Sequence, residues 1–325
     1  MDAEERELFR SGIRYATRQH TGAELDLALA ELGWTDALAA DPATAVAVLF
    51  EEQGESNATS SALDHLLAAA LGADPATTAV VLPVLGGVDP PGSERGRPGA
   101  GAPQAGDGEG LVVRGLGTAA LARRSSALVA VGEDRVATVA AAELAPNPVA
   151  GLDPRLGLVE VAAGTSARLA TPSAAWAEAV ALGQRALGHE LVGAARAMLR
   201  LARDHALDRV QFGRPIAGFQ AVRHRLAETL VAIEAADAAL VAAADDGTPW
   251  AAAVAKAIAG RSARTTARHC QQVLAGIGFT DEHDLHLYVR RARVLDHLLG
   301  DSRSLTRRLG EQLLADRTLP AILPL

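Results

Sequence analysis

The sequence predicts a mainly α-helical protein with a small β region in its middle, and three observations support this fold class. Hydrophobic residues make up 49% of the 325 residues and aromatic residues only 3%, with alanine dominating, a composition that favours closely packed helices over a sheet sandwich. Apolar residues recur at helical spacing towards both ends of the chain. Between those regions, short apolar runs alternate with stretches rich in glycine and proline, as strands alternate with turns.

Residues 1–75 are predicted to form an N-terminal helical domain. A first helical segment contains Leu8, Ile13 and Tyr15 among many Glu and Arg residues, and a second covers residues 23–32. The runs TAVAVLFEEQG and SSALDHLLAAALG predict two more helices, and each run ends at a glycine, as helices often do.

Residues 76–172 are predicted to form a small middle β domain. The runs TAVVLPVL, GLVVRGL, SALVAVG and RVATVAA have the length of strands and are bounded by Gly, Pro and Asp. The stretch over residues 86–110 has low complexity and predicts a mobile loop.

Residues 173–325 are predicted to form an antiparallel helical bundle. Its first two helices each carry an apolar face at helical spacing. The residues that mark the two faces are Leu187, Leu191, Ala194, Met198 and Leu201, then Phe219, Val222, Leu226, Leu230 and Ile233. Further helices are predicted over residues 249–275, 282–298 and 302–315, and Pro249 takes a favoured first-turn position in the first of them.

Composition and charge narrow the classes of function. The net charge is −8 and no long basic stripe is present, which argues against nucleic acid or an anionic membrane as the main partner. Cys270 is the single cysteine, so neither an intrachain disulfide nor a thiolate metal cage is expected. The acidic start DAEERELF does not resemble a signal peptide, and no apolar run of about 18 residues predicts a membrane span. We therefore expect a cytoplasmic protein.

The stretch RDHALDRVQFGRPIAGFQ interrupts the predicted bundle with polar residues. Gly213 and Pro215 end one helix and begin another, and a cation at Arg209 suits the C-terminal end of a helix. A capped turn with solvated arginines explains this pattern. An anion site also explains it, because a guanidinium binds phosphate with two bonds, Gln211 adds an amide, and Phe212 offers an apolar wall. The stretch alone leaves both interpretations open.

The stretch QQVLAGIGFTDEHDLHLYVRRAR is the second candidate. Gly276 and Gly278 would let a ligand approach the backbone closely, although an ordinary helix end also explains a lone pair of glycines. A cluster of acidic residues and histidines follows, namely Asp281, Glu282, His283, Asp284 and His286. Its spacing fits no recognised metal-ligand pattern, and acidic residues are favoured where a helix begins, so we predict no metal site there.

Taken together, the two stretches resemble the acyl-CoA dehydrogenase family. The family pattern R-x-x-F-G-x-x-I-x-x-F-Q is matched by RVQFGRPIAGFQ, which begins at Arg209. The pattern Q-x-x-G-G-x-G-[YF]-T-x-E is matched by QVLAGIGFTDE from Gln272, with Ala275 in place of the first glycine. The resemblance implies the family's fold, with an N-terminal helical domain, a β-barrel-like middle domain and a C-terminal four-helix bundle. The N-terminal region here is shorter than the family usually has.

The resemblance also implies a cofactor, FAD, which in this family lies at a subunit interface. One subunit encloses the flavin ring, and the polar stretch of its mate reaches the pyrophosphate. By this resemblance Arg209 and Gln211 would bind the pyrophosphate, Phe212 would pack beside the flavin, and Gln272 and Gly276 would line the adenosine end. The implied cofactor-binding residues are Arg209, Gln211, Phe212, Gln220, Gln272 and Gly276.

The catalytic base of the family is missing from both of its known positions. The family removes an acidic α-proton with a glutamate, whose proton affinity is raised by desolvation. One position follows the RRAR run and is occupied by Leu299, with Asp301 in place of a threonine. The other corresponds to Gly183; Glu178 and Glu190 lie on the same predicted helix but not in that register. No residue of this chain is therefore predicted to be catalytic.

The flavin-cradling segment departs from the family as well. The equivalent stretch VLPVLGGVDPPGSERG keeps a proline and a Gly-Ser pair but lacks the family's Thr-Glu. This selective loss resembles the small subunits of α2β2 acyl-CoA dehydrogenases of steroid catabolism. The resemblance implies a longer homologous partner that carries the catalytic glutamate, a bulky steroid-derived acyl-CoA substrate, and an electron-transferring flavoprotein as acceptor.

Two alternatives remain open from the sequence. The first is a self-sufficient homo-oligomeric dehydrogenase with a relocated base such as Glu190. The second is a flavin-free structural or regulatory scaffold that binds partner helices.

Overall fold

A computed structural model describes residues 1–94, 110–132, 134–167 and 175–317. Within these ranges the chain forms ten α-helices and nine short strands, in the order helices, sheet, helices. The predicted fold class, mainly helical with a small middle β region, is confirmed. Most of the loop predicted over residues 86–110 lies outside the described residues.

Five helices precede the sheet. They are α1 (Ala3–Gln19), α2 (Ala23–Glu31), α3 (Trp34–Ala40), α4 (Pro42–Ser56) and α5 (Ala62–Ala70). Helix α1 begins with a reciprocal cap between Asp2 and Glu5, and the Asp41 side chain accepts a hydrogen bond at the start of α4. Helix α4 packs closely on the bundle, because Gly54 and Gly193 let the two helix backbones approach. The N-terminal helices are thereby fixed to the bundle.

Seven strands follow in one sheet. They are β1 (Thr78–Val80), β2 (Gly92–Glu94), β3 (Leu111–Gly117), β4 (Ser126–Val131), β5 (Arg135–Ala140), β6 (Asn147–Pro148) and β7 (Val159–Thr165). The strand order is β1-β4-β2-β3-β7-β6, with β5 on the other edge of β4. Strands β3 and β7 pair in antiparallel register from Leu111 opposite Thr165. The four predicted runs correspond to β1, β3, β4 and β5, and the sequence did not predict β2, β6 or β7.

The C-terminal region is a helical bundle with a small hairpin inserted. Its elements are α6 (Trp176–Asp208), β8 (Val210–Gln211), β9 (Arg214–Pro215), α7 (Gln220–Asp246), α8 (Pro249–Leu274), α9 (Leu285–His297) and α10 (Ser302–Asp316). Helix α8 begins at Pro249, as predicted, and Thr248 caps it by accepting from the Ala251 N–H at 3.2 Å. No helix in the described ranges is long and apolar enough to cross a membrane.

The predicted apolar face is confirmed on α6 but only partly on α7. On α7, Ile233 is buried and Val222 and Leu226 are half-buried, whereas Leu230 is 48% exposed. Helix α7 packs on α6 and α8 with one side only, and the other side also exposes Val231. An apolar residue at helical spacing is buried only where another element covers it, and no described element covers this side.

Candidate functional site

The polar stretch over residues 209–220, here called the corner, contains a two-residue hairpin turn. Strands β8 and β9 pair Val210 with Pro215. The two residues between the strands, Phe212 and Gly213, have φ of 53° and 78°, as tight hairpin turns require. A non-glycine residue in this region is strained, and such strain occurs most often at functional sites. The sequence signal for the turn was the Phe-Gly pair itself.

The corner presents its functional side chains to solvent. Phe212 is 92% exposed, and its ring meets Phe219 edge-on with 6.0 Å between centroids. The Arg214 guanidinium lies 4.3 Å from the Phe219 ring centroid. Arg209 makes no ion pair or side-chain hydrogen bond within the described part of the chain, and Gln211 donates only to the neighbouring Val210 carbonyl, at 2.8 Å.

Gln220 is the last residue of the corner and the first of α7. Its side chain is exposed. A cation, an amide and an aromatic ring therefore lie together on the surface with little of their binding capacity used inside the chain.

The second motif forms the end of α8 and the 3₁₀ turn after it. Gln272 is exposed, and a Cβ placed on Gly276 would meet no atom within 4 Å. Ala275 has φ 53°, a left-handed value that glycine adopts without strain, which gives a physical reason for the family's glycine there. Phe279 on the same turn is 70% exposed. This motif therefore also faces outward.

The two motifs end at the same end of the bundle. His205 in the last turn of α6 meets His283, in the loop after the second motif, with 6.4 Å between ring centroids. Burial lowers the pKa of His205, and the nearby charges of His283 and Arg209 lower it further. The structure thus brings the end of α6 next to the loop that follows the second motif.

Contacts within the chain account for the acidic and histidine cluster after the second motif. Asp281 pairs with Arg290 at 2.8 Å, and His283 Nδ1 accepts from the Leu285 N–H at the start of α9. A different group, Glu51, His189 and Asp237, has the spacing of metal ligands. There Arg196 already bonds Glu51 at 3.1 Å and Asp237 at 3.0 Å, so a cation is supplied by the chain itself.

Gly183 and Leu299 occupy the two positions at which the resemblance places the family's base, and they lie side by side in the fold. We call this place the base position. A Cβ on Gly183 would lie only 2.5 Å from Leu299 Cδ1 and 3.1 Å from Leu67 Cδ2. Leu299 is 1% exposed. Two residues far apart in the sequence therefore face each other, and apolar side chains fill the space between them.

The turn that carries Leu299 is held by polar contacts. Gln184 Nε2 donates to the Leu299 carbonyl at 2.9 Å. Lys256 Nζ donates to the carbonyls of Leu295 at 3.1 Å, Asp296 at 3.0 Å and Gly300 at 3.4 Å. Burial lowers the pKa of Lys256 to about 8, against the attraction of Asp296 and Asp301. The sequence signal for this residue was a lone lysine in the apolar run AVAKAIA, which sequence reasoning missed.

The segment that corresponds to the family's flavin-cradling stretch packs against the turn between α9 and α10. The Gly86 N–H donates to the His297 carbonyl at 2.8 Å, and Ser304 Oγ donates to the Gly86 carbonyl at 3.2 Å. Val88 lies so close to Gly300 that a Cβ there would meet it at 2.5 Å. The segment therefore closes over the turn that carries the base position.

The two glutamates of α6 lie in different surroundings. Glu178 is exposed, whereas Glu190 is 4% exposed and pairs with Arg291 at 3.0 Å. Burial raises the pKa of Glu190, and the charge of Arg291 opposes that rise. Arg291 is fully buried and also bonds Asp153 at 2.7 Å and the Ala58 carbonyl at 2.7 Å.

The cavity beside Glu190, lined also by Leu187 and Leu298, measures about 50 Å³. That volume is room for a few water molecules.

Comparisons with known proteins agree with this geometry. Residues 174–314 match the family model of the acyl-CoA dehydrogenase C-terminal domain. The chain is 39% identical over 166 residues to the acyl-CoA dehydrogenase IpdE2 of Mycobacterium tuberculosis, an alignment that covers 51% of each protein. It is 48% identical over 130 residues to acyl-CoA dehydrogenase FadE34 of the same organism, covering 38% of this chain and 18% of FadE34. The chain thus spans about half the length of the first relative and less of the second.

Solved structures share the fold that the described residues form. The steroid ACAD Tcur3481-Tcur3483, in a variant form, superposes with a TM-score of 0.80 at 22% identity, covering 97% of this chain and 99% of that one. The ChsE4-ChsE5 complex from Mycobacterium tuberculosis gives a TM-score of 0.69 at 22% identity, covering 97% and 89%. Residues 174–314 are thus similar to the C-terminal domain of acyl-CoA dehydrogenases, and the described fold as a whole is similar to the fold of these solved structures.

Proposed function

We propose that this chain is the non-catalytic subunit of a heteromeric FAD-dependent acyl-CoA dehydrogenase, and that it completes the FAD site of a longer homologous subunit. The complex would introduce an α,β double bond into a bulky acyl-CoA thioester. The observation that carries the proposal is the contrast between an exposed, unpartnered corner and a filled base position. A chain with its own complete site would need a carboxylate and open space at the base position, where this chain has packed apolar side chains.

The residues of the corner suit a dinucleotide supplied by a partner. The Arg209 guanidinium is free to bind a pyrophosphate with two charge-assisted bonds, and the Gln211 amide lies beside it. The exposed Phe212 ring offers an apolar surface for a flavin. The exposed side chains of Gln220 and Gln272, and the open space at Gly276, suit the adenosine end. When bound, FAD would accept the hydride from the β-carbon of the substrate.

Proton abstraction is assigned to the partner. The reaction needs a carboxylate beside the α-carbon of the thioester. At the base position this chain offers Leu299 against Gly183 and Leu67, with the segment around Val88 closed over it. We infer that this half of the heterodimer has no complete active site of its own and contributes only to the partner's FAD site.

The relatives favour a steroid-derived substrate and a paired subunit. One structural neighbour is described as a steroid ACAD of two components, and another as a complex of two chains. The aligned region fills 38% of this chain but only 18% of FadE34, so FadE34 is about twice as long and has room for a second unit of this size. By extension we propose an α2β2 complex that oxidises a cholesterol side chain or ring fragment as its CoA thioester. An electron-transferring flavoprotein would be its acceptor.

Coexpression tests the proposal directly. Alone, the chain is expected to be colourless and to aggregate, because the exposed apolar side of α7 and the corner lack their complement. Coexpressed with a longer acyl-CoA dehydrogenase chain of the same genome, it is expected to give a yellow complex with one FAD per heterodimer. A stable yellow homo-oligomer with one FAD per chain would establish the self-sufficient alternative. A complex without flavin would establish the scaffold.

Glutamine variants separate a relocated base from a structural glutamate. Glu190→Gln and, as its control, the exposed Glu178→Gln are expected to leave turnover per bound FAD nearly unchanged in the complex. A general base contributes about 10²–10⁴-fold to the rate. A loss of that size in Glu190→Gln at unchanged flavin content would place the base in this chain.

A further inference from the structure

A groove between α8 and α9 carries a second concentration of cations, outside the corner. It encloses about 360 Å³. Four arginines line it, Arg261, Arg264, Arg268 and Arg293, together with Thr265 and Gln271. None of its described lining residues carries a carboxylate, although the whole chain has a net charge of −8.

Within the described ranges, three of the four arginine side chains have no ion-pair or hydrogen-bond partner. Arg264 bonds the buried Asp296 at 2.7 Å. The side chains of Arg261, Arg268 and Arg293 make no ion pair or hydrogen bond with any residue that the structure describes. The helix dipole does not explain them, since none lies in the last turn of its helix. Like charges spaced along one helix face repel each other. Contacts within the described ranges therefore do not explain why these arginines lie so close together.

The shape of the groove favours an elongated ligand. From Arg261 to Gln271 the lining spans ten residue steps of the helix, or about 15 Å along its axis. The cations therefore form a row, whereas a single phosphate needs guanidinium groups that converge. Small apolar side chains of α8 and α9 lie between them, namely Ala263, Ala267, Val289 and Ala292. A row of cations around an apolar floor fits an amphipathic helix that places carboxylates at successive turns.

We propose that this groove binds an acidic helical segment of the FAD-bearing subunit. The inference deepens the proposed function and depends on it. Helix α8 carries both the groove and Gln272 at its exposed end. A partner that brings its cofactor to Gln272 and Gly276 therefore lies next to Gln271 and Arg268 of the groove. Charge complementarity of this kind selects the partner and speeds association.

Thiol labelling of the coexpressed complex tests whether the groove is covered. The native Cys270 is buried in the folded chain, and burial raises its pKa to about 12, but denaturation exposes it, so the labelling is done in a Cys270→Ser background. The new thiol of Arg268→Cys is expected to react at least roughly tenfold more slowly in the complex than after denaturation. The thiol of Arg18→Cys, at an exposed position of α1, is the control and is expected to react at the same rate in both states.

Charge reversal of the groove arginines tests whether an acidic segment covers the groove. The triple variant Arg261→Glu, Arg268→Glu, Arg293→Glu is expected to weaken the heteromer about a hundredfold or more, and Arg6→Glu with Arg18→Glu to leave it unchanged. Equal labelling of both thiols in an intact yellow complex, or wild-type affinity of the triple variant, would overturn the groove proposal while the proposed function stands. Protection that appears only with added ADP or pyrophosphate would also overturn it, in favour of a small polyanion. Absence of a flavin-containing complex would remove the proposed function itself.

Discussion

The base position and the corner both break regular backbone with left-handed residues, but they differ in what satisfies their polar groups. At the base position Leu299 has φ 55°, and its carbonyl accepts from Gln184 while Lys256 binds the carbonyls around it. At the corner Phe212 has φ 53°, and its ring is 92% exposed. Strain inside the chain is thus compensated by the chain's own contacts. At the corner the pairing of β8 with β9 holds the backbone, but the Phe212 side chain has little packing, so we infer that this side chain is packed in an assembly.

The distribution of strained residues supports this difference. Six described residues other than glycine have positive φ. Three of them, Phe212, Ala275 and Leu299, lie at positions where the sequence resembles or departs from the family's motifs. Strain that coincides with motif positions points to function more strongly than strain in an arbitrary turn.

Disrupting the buried ion pairs of Arg291 should have the largest effect on the stability of the complex. Arg291→Met would leave Glu190 and Asp153 as buried carboxylates without their cation. Removal of one partner from a buried ion pair costs about 3–5 kcal/mol. Urea unfolding of the complex measures the loss. The exposed Arg303→Met is the control, with a change within about 0.5 kcal/mol. Equal effects of the two variants would show that the interior network adds nothing.

The contacts of Glu51 with His189, Arg196 and Arg10 should make the free energy of unfolding decrease at acid pH. Burial alone would raise the pKa of Glu51, but the hydrogen bond and charge of His189, with Arg196 and Arg10, outweigh it and lower the pKa to about 2. A carboxyl whose pKa is lower in the folded state stabilises above the unfolded pKa and loses that effect as pH falls. The loss should run from about pH 4.5 to about pH 2 and amount to about 3 kcal/mol.

Glu51→Gln is therefore expected to destabilise the complex at pH 7 and to converge with the wild type near pH 2. Urea unfolding at a series of pH values measures this. The control is Glu311→Gln, which removes an exposed pair with Arg307 and should cost within about 0.5 kcal/mol. A Glu51→Gln difference that is independent of pH would show that packing, and not the charge, matters there.

Breaking the corner should affect the cofactor and leave the fold intact. Arg209→Ala would remove the proposed charge-assisted contact to phosphate, about 1.5–3 kcal/mol, or roughly a ten- to hundredfold weaker FAD affinity. Activity should fall at limiting FAD and recover with excess FAD, and Arg209→Lys should restore only part of the affinity. Bound FAD per complex measures this. Arg203→Ala is the control, because Arg203 lies in the preceding helix α6 and pairs with Asp204, so it should retain full affinity. Equal affinity in both variants would show that the corner is only a turn.

The sequence predicted the corner better than the interior, for a physical reason. The motif beginning at Arg209 is contiguous, so its chemistry can be found without knowing the fold. Gly183 and Leu299 could be located only through the family's register, and that they meet follows from the packing of α6 against the turn after α9. The burial of Lys256 depends on carbonyls 39 to 44 residues away, which no local pattern encodes.

Two further features of the structure could not be predicted from local sequence patterns. The apolar periodicity of α7 did not reveal that Leu230 faces outward, because periodicity identifies a face but not what covers it. The hairpin of β8 and β9 has two residues in each strand, too few for a strand pattern.

The smallest effect is expected at Ala275 of the second motif. Its replacement tests whether the methyl group only strains the backbone or also contacts the cofactor. Ala275 has φ 53°, and glycine at this position should relieve the steric cost of its Cβ. Ala275→Gly is therefore expected to stabilise the complex by about 1 kcal/mol, measured by urea unfolding, with bound FAD unchanged.

Ala145→Gly is the matched control, because Ala145 has φ 41° and lies in the middle region, away from both motifs. If both variants gain the same stability and keep their flavin, the strain at Ala275 carries no cofactor contact of its own. If Ala275→Gly alone loses FAD affinity, then the methyl group touches the cofactor. The alanine would in that case be a binding residue that replaces the family's glycine.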